Sequence, residues 1–167
     1  NLIEHNNLPN FAIAGSTVSA VPAGIGIMVL ASDNNEFHDN VVTGHLSVGA
    51  LVIGYSEVIF GTFEDPYFDP YSHGNWIHDN QFSDNGAEPQ GDLAWLIPPP
   101  VRPVPDIVYD GCDDPNLEMV GENVNCLSNN GDANYYNIDL CGAFVPSTDI
   151  EEVTCEHDVL PAIELGE

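Results

Sequence analysis

Short apolar runs separated by Asn, Asp and Gly recur along the first part of the chain. Three segments share an apolar residue, two polar residues, an Asn and an apolar residue two positions later: Ile3-Glu4-His5-Asn6-Asn7-Leu8, Phe37-His38-Asp39-Asn40-Val41-Val42 and Ile77-His78-Asp79-Asn80-Gln81-Phe82. A second alignment matches Gly26-Ile27-Met28-Val29 to Ala50-Leu51-Val52-Ile53, with Ile27 opposite Leu51. Such runs bounded by turn-forming residues are typical of strands. No stretch has a sustained helical period with caps, so we expect little helix.

Strands that recur every twenty-odd positions and are joined by Asn and Gly corners are typical of a parallel β-helix, in which each coil buries its apolar face on the next. In this arrangement Ile3, Phe37 and Ile77 point inward. Three asparagines then occupy one corner on successive coils, where their amides form a hydrogen-bonded ladder: Asn6, Asn40 and Asn80. The alternative is a β-sandwich whose Asn-rich turns match by chance.

Two segments carry a resemblance to a known family. Glu36-Phe37-His38-Asp39-Asn40 and Asn75-Trp76-Ile77-His78-Asp79-Asn80-Gln81-Phe82 resemble the right-handed parallel β-helix repeats of the pectin-lyase-like superfamily. Val21-Pro22-Ala23-Gly24-Ile25-Gly26, Asp69-Pro70-Tyr71, Asn129-Asn130-Gly131-Asp132 and Ser147-Thr148-Asp149 are also similar to the C-terminal half of secreted bacterial β-helix proteins. The resemblance implies an all-β fold of right-handed parallel β-helix coils over most of the chain. It implies no catalytic residues, because this fold hosts lyases, hydrolases, epimerases, adhesins and structural proteins.

The chain divides into two parts in this interpretation. Residues 1–97 form coils with insertions at residues 7–23 and 55–73, and the second insertion explains why Phe37 and Ile77 lie farther apart in sequence than Ile27 and Leu51. Residues 98–167 begin with a Pro-rich linker and continue as a Cys-bearing C-terminal cap that closes the last coil. The insertion at 55–73 is the candidate ligand or partner face, because long loops on repeat scaffolds often bind. Its aromatic residues either serve there or pack against the flank of the coils: Tyr55, Phe60, Phe63, Tyr67, Phe68 and Tyr71.

All four cysteines lie in the last third of the chain: Cys112, Cys126, Cys141 and Cys155. None forms a C-x-x-C pair, which argues against zinc, haem and thioredoxin-like sites. Two disulfides and an oxidising compartment are the favoured interpretation, and reduced buried thiols are the alternative. Four cysteines allow three connectivities. The resemblance implies Cys126 paired with Cys155, and Cys112 paired with Cys141. We therefore expect a secreted or extracellular protein, or one at the cell surface or in the periplasm.

The charge balance limits the classes of partner that the protein can bind. The chain has 27 acidic residues and one cation, Arg102, with a formal net charge of −26. Nucleic acid and anionic lipid both require Lys and Arg, and no apolar run is long enough to span a bilayer, so we expect neither nucleic-acid binding nor membrane insertion. Cations, neutral carbohydrates and other proteins remain as partners. Adaptation to salt or solubility is an alternative cause of the charge.

The sequence contains candidate ligands for two kinds of metal site. Calcium is the expected cofactor, if there is one, because acidic loops supply the oxygen ligands that it prefers. Its candidate ligands form two clusters: Asp110, Asp113, Asp114 and Asn116 in the C-terminal part, and Glu64, Asp65 and Asp69 in the aromatic insertion. Neither set has EF-hand spacing, and solvated acid clusters are the alternative. The three aligned segments also place Glu4, His38 and His78 in one outward-facing column, close enough to share a transition metal. Solvated histidines in an exposed column are the alternative there.

Catalysis has little support in the sequence. No G-x-S-x-G, phosphate-binding Gly-rich loop or H-E-x-x-H motif occurs, and Arg102 lies close to prolines. The favoured function is a secreted structural or interaction module that stacks through its β-helix, with copies of itself or with upstream coils of the same protein, and that can extend into a filament. Leu2, Ile3 and Leu8 already lie in coil register with no capping segment before them, so we expect them to be buried in the assembly. The alternative is a carbohydrate-binding or carbohydrate-active protein that uses the aromatic and acidic insertion.

Overall fold

In the described part of the chain the strands form three sheets, and every pair of neighbouring strands in them is parallel. The computed structural model describes residues 1–62 and 64–160. Its strands are β1 (Leu2–Glu4), β2 (Ile25–Leu30), β3 (Glu36–His38), β4 (Val41–Thr43), β5 (Val48–Ile53), β6 (Trp76–His78), β7 (Gln81–Ser83), β8 (Ile107–Tyr109), β9 (Cys126–Ser128) and β10 (Tyr135–Asn137). Helix in the described residues is confined to α1 (Glu57–Phe60), α2 (Leu93–Leu96) and short 3₁₀ turns at Thr17–Ala20, Gly121–Asn123 and Ile150–Val153. The expectation of a β-rich chain with little helix is confirmed.

The chain visits the three sheets in rotation. The first sheet has the order β1-β4-β7, the second β10-β8-β5-β2 and the third β3-β6-β9. We call each pass through the sheets a layer, so that β1 to β3 form the first layer, β4 to β6 the second and β7 to β9 the third. After β9 the chain returns directly to the second sheet as β10.

Apolar side chains from all three sheets meet in one core. Val42 of the first sheet, Val52 of the second and Ile77 of the third are almost fully buried in the same cluster, and Ile3 and Phe37 pack against it. The inward positions expected for Ile3, Phe37 and Ile77 are therefore confirmed.

The second sheet is also covered on its outer face. Alternate residues of its strands, such as Leu51 and Val108, join a second cluster that contains Leu93 of α2 and Ile97. Nearly every residue of β5 is buried as a result.

This double burial explains an error in the sequence alignment. Ile27 pairs with Ala50 and Met28 with Leu51, so the predicted match of Ile27 to Leu51 is shifted by one position and is wrong. A strand that is apolar on both faces has no alternation to reveal its register. In the third sheet the predicted match of Phe37 to Ile77 is confirmed.

An asparagine ladder runs through one corner. It contains Asn40 and Asn80, as expected, but the expectation that Asn6 belongs to it is wrong. Asn40 Nδ2 donates to Asn80 Oδ1 at 2.9 Å, and Asn80 Nδ2 donates to Asn130 Oδ1 at 3.1 Å. In the first layer the partner of Asn40 is Asn1, whose Nδ2 donates to Asn40 Oδ1 at 3.0 Å. A second ladder joins Asn35, Asn75 and Asn125 in the same way.

Asn6 belongs to a different corner. Because β1 pairs with β4, Ile3 lies opposite Val42, and the backbone N–H of Asn6 donates to His45 Nδ1 at 3.2 Å. The backbone N–H of His45 in turn donates to Asn85 Oδ1 at 3.1 Å, so a histidine occupies a position of the kind held elsewhere by asparagine. The apolar-polar-polar-Asn pattern thus marks more than one corner of a layer and does not identify which one.

The corner residues also explain the Asp-Asn and Asn-Asn pairs of the sequence. Asp39, Asp79 and Asn129 precede ladder asparagines and have φ values of 53°, 52° and 53°. Asp and Asn tolerate this left-handed conformation better than other non-glycine residues. Each pair therefore supplies one residue that turns the chain and one whose amide bonds to the neighbouring layer.

The end of the molecule beyond the third layer is held by two disulfides, Cys112–Cys141 and Cys126–Cys155, which is the expected connectivity. Such bonds indicate an oxidising, extracellular type of environment. The strands β8, β9 and β10 of the expected linker and cap extend the second and third sheets; the division at residue 97 stays a prediction. Among the described residues, no helix is both long and apolar enough to cross a membrane.

Candidate functional site

The three strands of the first layer each lie at the edge of a sheet, on the same end of the molecule. In β1, the carbonyl of Asn1 accepts from Val41 N at 2.8 Å and His5 N donates to the carbonyl of Thr43 at 3.1 Å. Parallel pairing uses the backbone groups of alternate residues on one side of a strand. Residues 1, 3 and 5 therefore bond to β4, while Leu2 and Glu4 direct their N–H and C=O groups to the other side.

The same alternation applies to β2 and β3. Ala31 N donates to the carbonyl of Ile53 at 3.0 Å, and Trp76 N donates to the carbonyl of Asn35 at 2.8 Å, so odd-numbered residues face the second layer in both strands. The outward backbone groups of the first layer consequently belong to residues with even numbers: Leu2, Glu4, Met28, Leu30, Glu36 and His38. The alternation is shifted at the start of β2, because the carbonyl of the even-numbered Gly24 accepts from Val48 N at 3.1 Å and that of Gly26 accepts from Asn6 Nδ2 at 3.4 Å. We call the three outer edges together the open edge.

The open edge is weakly charged for such an acidic chain. Only Glu4 and Glu36 are acidic among all the residues of β1, β2 and β3. The first layer also exposes several large apolar side chains in residues 2–18: Leu2 (61%), Leu8 (80%), Phe11 (96%), Ile13 (85%) and Val18 (61%). Of the residues expected to be buried by assembly, Leu2 and Leu8 are thus exposed in this chain, and Ile3 is partly buried.

The opposite end is covered in two of the three sheets. Asn137 of β10 forms an antiparallel bridge with Ser147, and Leu127 of β9 forms a parallel bridge with Thr154. The 3₁₀ turn at Ile150–Val153 packs against the core there, and the Cys126–Cys155 disulfide fixes it. The two ends of the sheet stack therefore differ in how far their edges are covered.

The predicted histidine column is right for His38 and His78 and wrong for Glu4. His38 and His78 are neighbours in register and stack at 5.2 Å between ring centroids, whereas Glu4 lies opposite Thr43 in another sheet. The error has the same cause as that for Asn6, since both rest on the placement of the first segment.

Glu36 supplies the carboxylate of the column instead. Its Oε1 lies 3.0 Å from His78 Nε2, and Asp79 Oδ2 lies 2.7 Å from His78 Nδ1. The hydrogen bond from His78 holds the pKa of Glu36 below its usual value, and the hydrogen bond between His38 and Asp39 raises the pKa of His38. Because both ring nitrogens of His78 already face carboxylates, the column suits a structural hydrogen-bonded network better than a metal.

The calcium candidates are mostly engaged in local hydrogen bonds. Both carboxylate oxygens of buried Asp110 accept backbone N–H groups, from Gly54 at 2.7 Å and Cys112 at 3.0 Å, and burial raises the pKa of Asp110. Asp114 Oδ1 accepts from Asn116 N and Nδ2. In the described part of the chain, neither this set, with Asp113, nor Glu64, Asp65 and Asp69 brings three carboxylates within 4.8 Å of one another. Calcium binding stays a prediction.

The aromatic insertion packs partly on itself and partly lines a cleft. Tyr55 contacts Phe60 and Phe68 at ring-centroid distances of 5.3 and 5.2 Å, and Tyr67 is 94% exposed. Phe63 lies outside the described residues. The cleft has a volume of about 470 Å³ and lies against the outer face of the second sheet, with walls that include Tyr55, Phe60, Tyr71, Leu93 and Trp95.

One side-chain cluster was missed by the sequence analysis. Asp33, Asp69 and His73 each bring one potential metal-ligand atom within 4.8 Å of the other two. In residues 1–62 and 64–160, no other group of three or more His, Cys, Asp or Glu residues does so. The signal was present in the match of Phe37 to Ile77, because the same offset places residue 33 beside residue 73.

In comparisons with protein-family models, curated proteins and solved structures, the chain matches none. The family resemblance of the sequence therefore stays an expectation, and the function has to be argued from the geometry.

Proposed function

We propose that this protein is a secreted, right-handed parallel β-helical module that assembles by accepting a further layer of strands on its open edge. The observation that carries the proposal is the coincidence of three outward parallel edges at one end of the molecule. The cyclic order of the strands and the asparagine ladders support the β-helix, and the disulfides support secretion.

Strand edges of this kind normally carry protection against pairing. Soluble proteins use edge lysines, prolines, bulges, or a covering loop for the purpose. β1, β2 and β3 contain no Lys and no Pro, and residues 2–18 expose several large apolar side chains. The carbonyl of His38 already accepts from Asn40 Nδ2 at 2.8 Å. An added layer would bond to the remaining outward backbone groups of all three strands at once, as in β-augmentation.

A second copy of the chain is the proposed source of that layer, and coils from the same polypeptide are the alternative source. The bridges at Ser147 and Thr154 cover much of the opposite end, so copies stacked head to tail would have to displace them. The geometry therefore favours a closed pair, joined open edge to open edge, over a filament. With a net charge of −26 on each chain, the pair should strengthen as salt screens repulsion.

Leu2→Pro tests the proposal with Leu2→Ala as its control. Proline removes an N–H that points outward and spares those that bond to β4, whereas alanine removes the side chain and keeps the N–H. We expect light scattering to show a pair for the parent protein and for Leu2→Ala at about 0.5 M salt, and a single chain for Leu2→Pro. Equal masses for all three proteins at every salt concentration would contradict assembly of copies through this edge.

The aromatic cleft supports carbohydrate binding as a second candidate function. Aromatic walls suit the apolar faces of neutral sugars, and Phe60, Tyr71 and Trp95 supply them. The carboxylate of Asp110 in the cleft is already bonded to two backbone N–H groups, which favours binding over acid-base hydrolysis. Trp95→Ala should abolish binding of neutral oligosaccharides measured by calorimetry, and Tyr67→Ala, outside the cleft, should not; absence of binding to the parent protein would exclude this function.

A further inference from the structure

Asp33, Asp69 and His73 converge from two parts of the chain, since Asp69 and His73 both belong to the insertion at residues 55–73. Asp33 follows β2 in the first layer, Asp69 lies in the aromatic insertion, and His73 precedes β6 in the second layer. His73 Nε2 lies 3.5 Å from Asp33 Oδ1 and 3.5 Å from Asp69 Oδ2. A single imidazole nitrogen therefore faces two carboxylates from different segments.

The backbone holds each carboxylate in this orientation. Asp33 Oδ1 accepts from the backbone N–H of His73 at 3.0 Å, and Asp69 Oδ1 accepts from that of Tyr71 at 3.0 Å, which leaves Asp69 Oδ2 turned toward the imidazole. Ligand groups of metal sites are commonly fixed by hydrogen bonds of this kind.

The imidazole has no better partner among the described residues. The side chain of His73 is only 13% exposed, and its Nδ1 is buried without a hydrogen-bond partner in that part of the chain. At 3.5 Å, each of the two Nε2–carboxylate distances lies outside the usual range of about 2.7–3.2 Å for an N–H···O hydrogen bond. The Nε2 atom of His73 thus faces a gap between two carboxylates and is not fully hydrogen-bonded to either of them.

Two of the three separations between the ligand atoms match those of a zinc site, and all three are within 4.8 Å. Two ligand atoms bound to tetrahedral zinc at about 2.0–2.1 Å are separated by about 3.4 Å. Both nitrogen–oxygen distances to His73 are 3.5 Å, close to that separation. The side chains of Asp33 and Asp69 are 25% and 40% exposed, so water can complete the coordination.

We propose that Asp33, Asp69 and His73 form a binding site for a divalent transition metal, with zinc as the preferred ion. One imidazole and two carboxylates are ligands that zinc accepts. Calcium prefers oxygen ligands in larger number, so the nitrogen of His73 disfavours it. The site joins the aromatic insertion to the first and second layers, and it is independent of the assembly proposed for the open edge.

Calorimetric titration with zinc alone tests this site in the full chain, at about 0.5 M salt to suppress loose binding to the acidic surface. We expect one zinc per chain and an affinity at least about tenfold lower in Asp69→Asn and His73→Ala. Asp69→Asn keeps the oxygen that accepts from Tyr71 N, so it should fold normally even if His73→Ala does not. Asp65→Asn, in the same insertion, and His38→Ala, in the histidine column, are matched controls that should bind like the parent protein.

Cobalt gives a second readout, because a tetrahedral site of this composition would produce a visible absorption band that Asp69→Asn removes while Asp65→Asn retains it. Equal losses in Asp69→Asn and Asp65→Asn would overturn the proposal, since the acidic surface as a whole would then bind the metal. Calcium affinity equal to that for zinc, or absence of zinc binding, would also overturn it.

Discussion

Asn80 is the residue whose replacement tests the interior ladder most severely. Its side chain is 1% exposed and bonds to the layers on both sides. Oδ1 accepts from the backbone N–H and the Nδ2 of Asn40, and Nδ2 donates to the carbonyls of Phe37 and His78 and to Asn130 Oδ1. Because Nδ2 has only two hydrogens, its three contacts amount to two full hydrogen bonds, and Asn80→Ala removes the equivalent of four bonds and leaves the backbone N–H of Asn40 buried without an acceptor.

The expected cost follows from that count. Each hydrogen bond contributes about 1 kcal/mol net, and several of the partners are buried groups that water cannot reach. Asn80→Ala should therefore lower the free energy of unfolding by about 4–5 kcal/mol, a large fraction of the roughly 5–15 kcal/mol that stabilises a typical domain.

Equilibrium unfolding in urea, followed by circular dichroism, measures this loss. Asn1→Ala is the matched control, because Asn1 sits at the exposed end of the same ladder and donates one side-chain bond, to Asn40 Oδ1 at 3.0 Å. Its cost should stay below about 1 kcal/mol. A loss below about 1.5 kcal/mol for Asn80→Ala, or equal losses in the two variants, would refute the claim that the interior amides hold the layers together.

Two further predictions concern the pH dependence and the covered end. Burial lowers the pKa of His45, so the unfolded chain binds the proton more tightly than the folded one, and the stability that neutral His45 contributes is complete above pH about 6.5 and falls as the pH drops below that value. In urea titrations the difference in unfolding free energy between the parent protein and His45→Asn should therefore shrink below pH about 6.5, and a constant difference would contradict this. Replacing Cys126 and Cys155 by Ser removes a covalent link that closes a loop of 29 residues, so it should lower the free energy of unfolding by roughly 3–4 kcal/mol. Hydrogen exchange should show the loss of protection first at Ile150–Val153, and a loss spread evenly over the sheets would contradict the claim that this disulfide holds the 3₁₀ turn in place.

The sequence predicted the parts of the fold that have distinctive polar markers. The Asp-Asn pairs before β4 and β7 identify equivalent corners, and they placed Phe37 opposite Ile77 and Asn40 beside Asn80. The disulfide pairing followed from resemblance, because spacing alone leaves three connectivities open.

The errors arose where the pattern is ambiguous. Ile3 and Asn6 fit the repeat motif but belong to a different corner, and the same shift removed Glu4 from the histidine column. The register of β2 against β5 is hidden because β5 is buried on both faces.

The cluster of Asp33, Asp69 and His73 was missed for a different reason. Its members are isolated in sequence and come together only through the offset between layers and the path of the insertion. Asp69 was selected as one of a run of acids, but its neighbours in the structure are Asp33 and His73 rather than Glu64 and Asp65.

Site-resolved amide hydrogen exchange in the native particle tests the open edge most directly. If the edge accepts another layer, the outward amides of Leu2, Glu4 and Met28 should exchange as slowly as those of Ile3 and Ile27, which face the second layer. The protection should then be continuous along β1 and β2. Fast exchange at the even-numbered residues, alternating with slow exchange at the odd-numbered ones, would show an edge exposed to water and would contradict the proposed assembly.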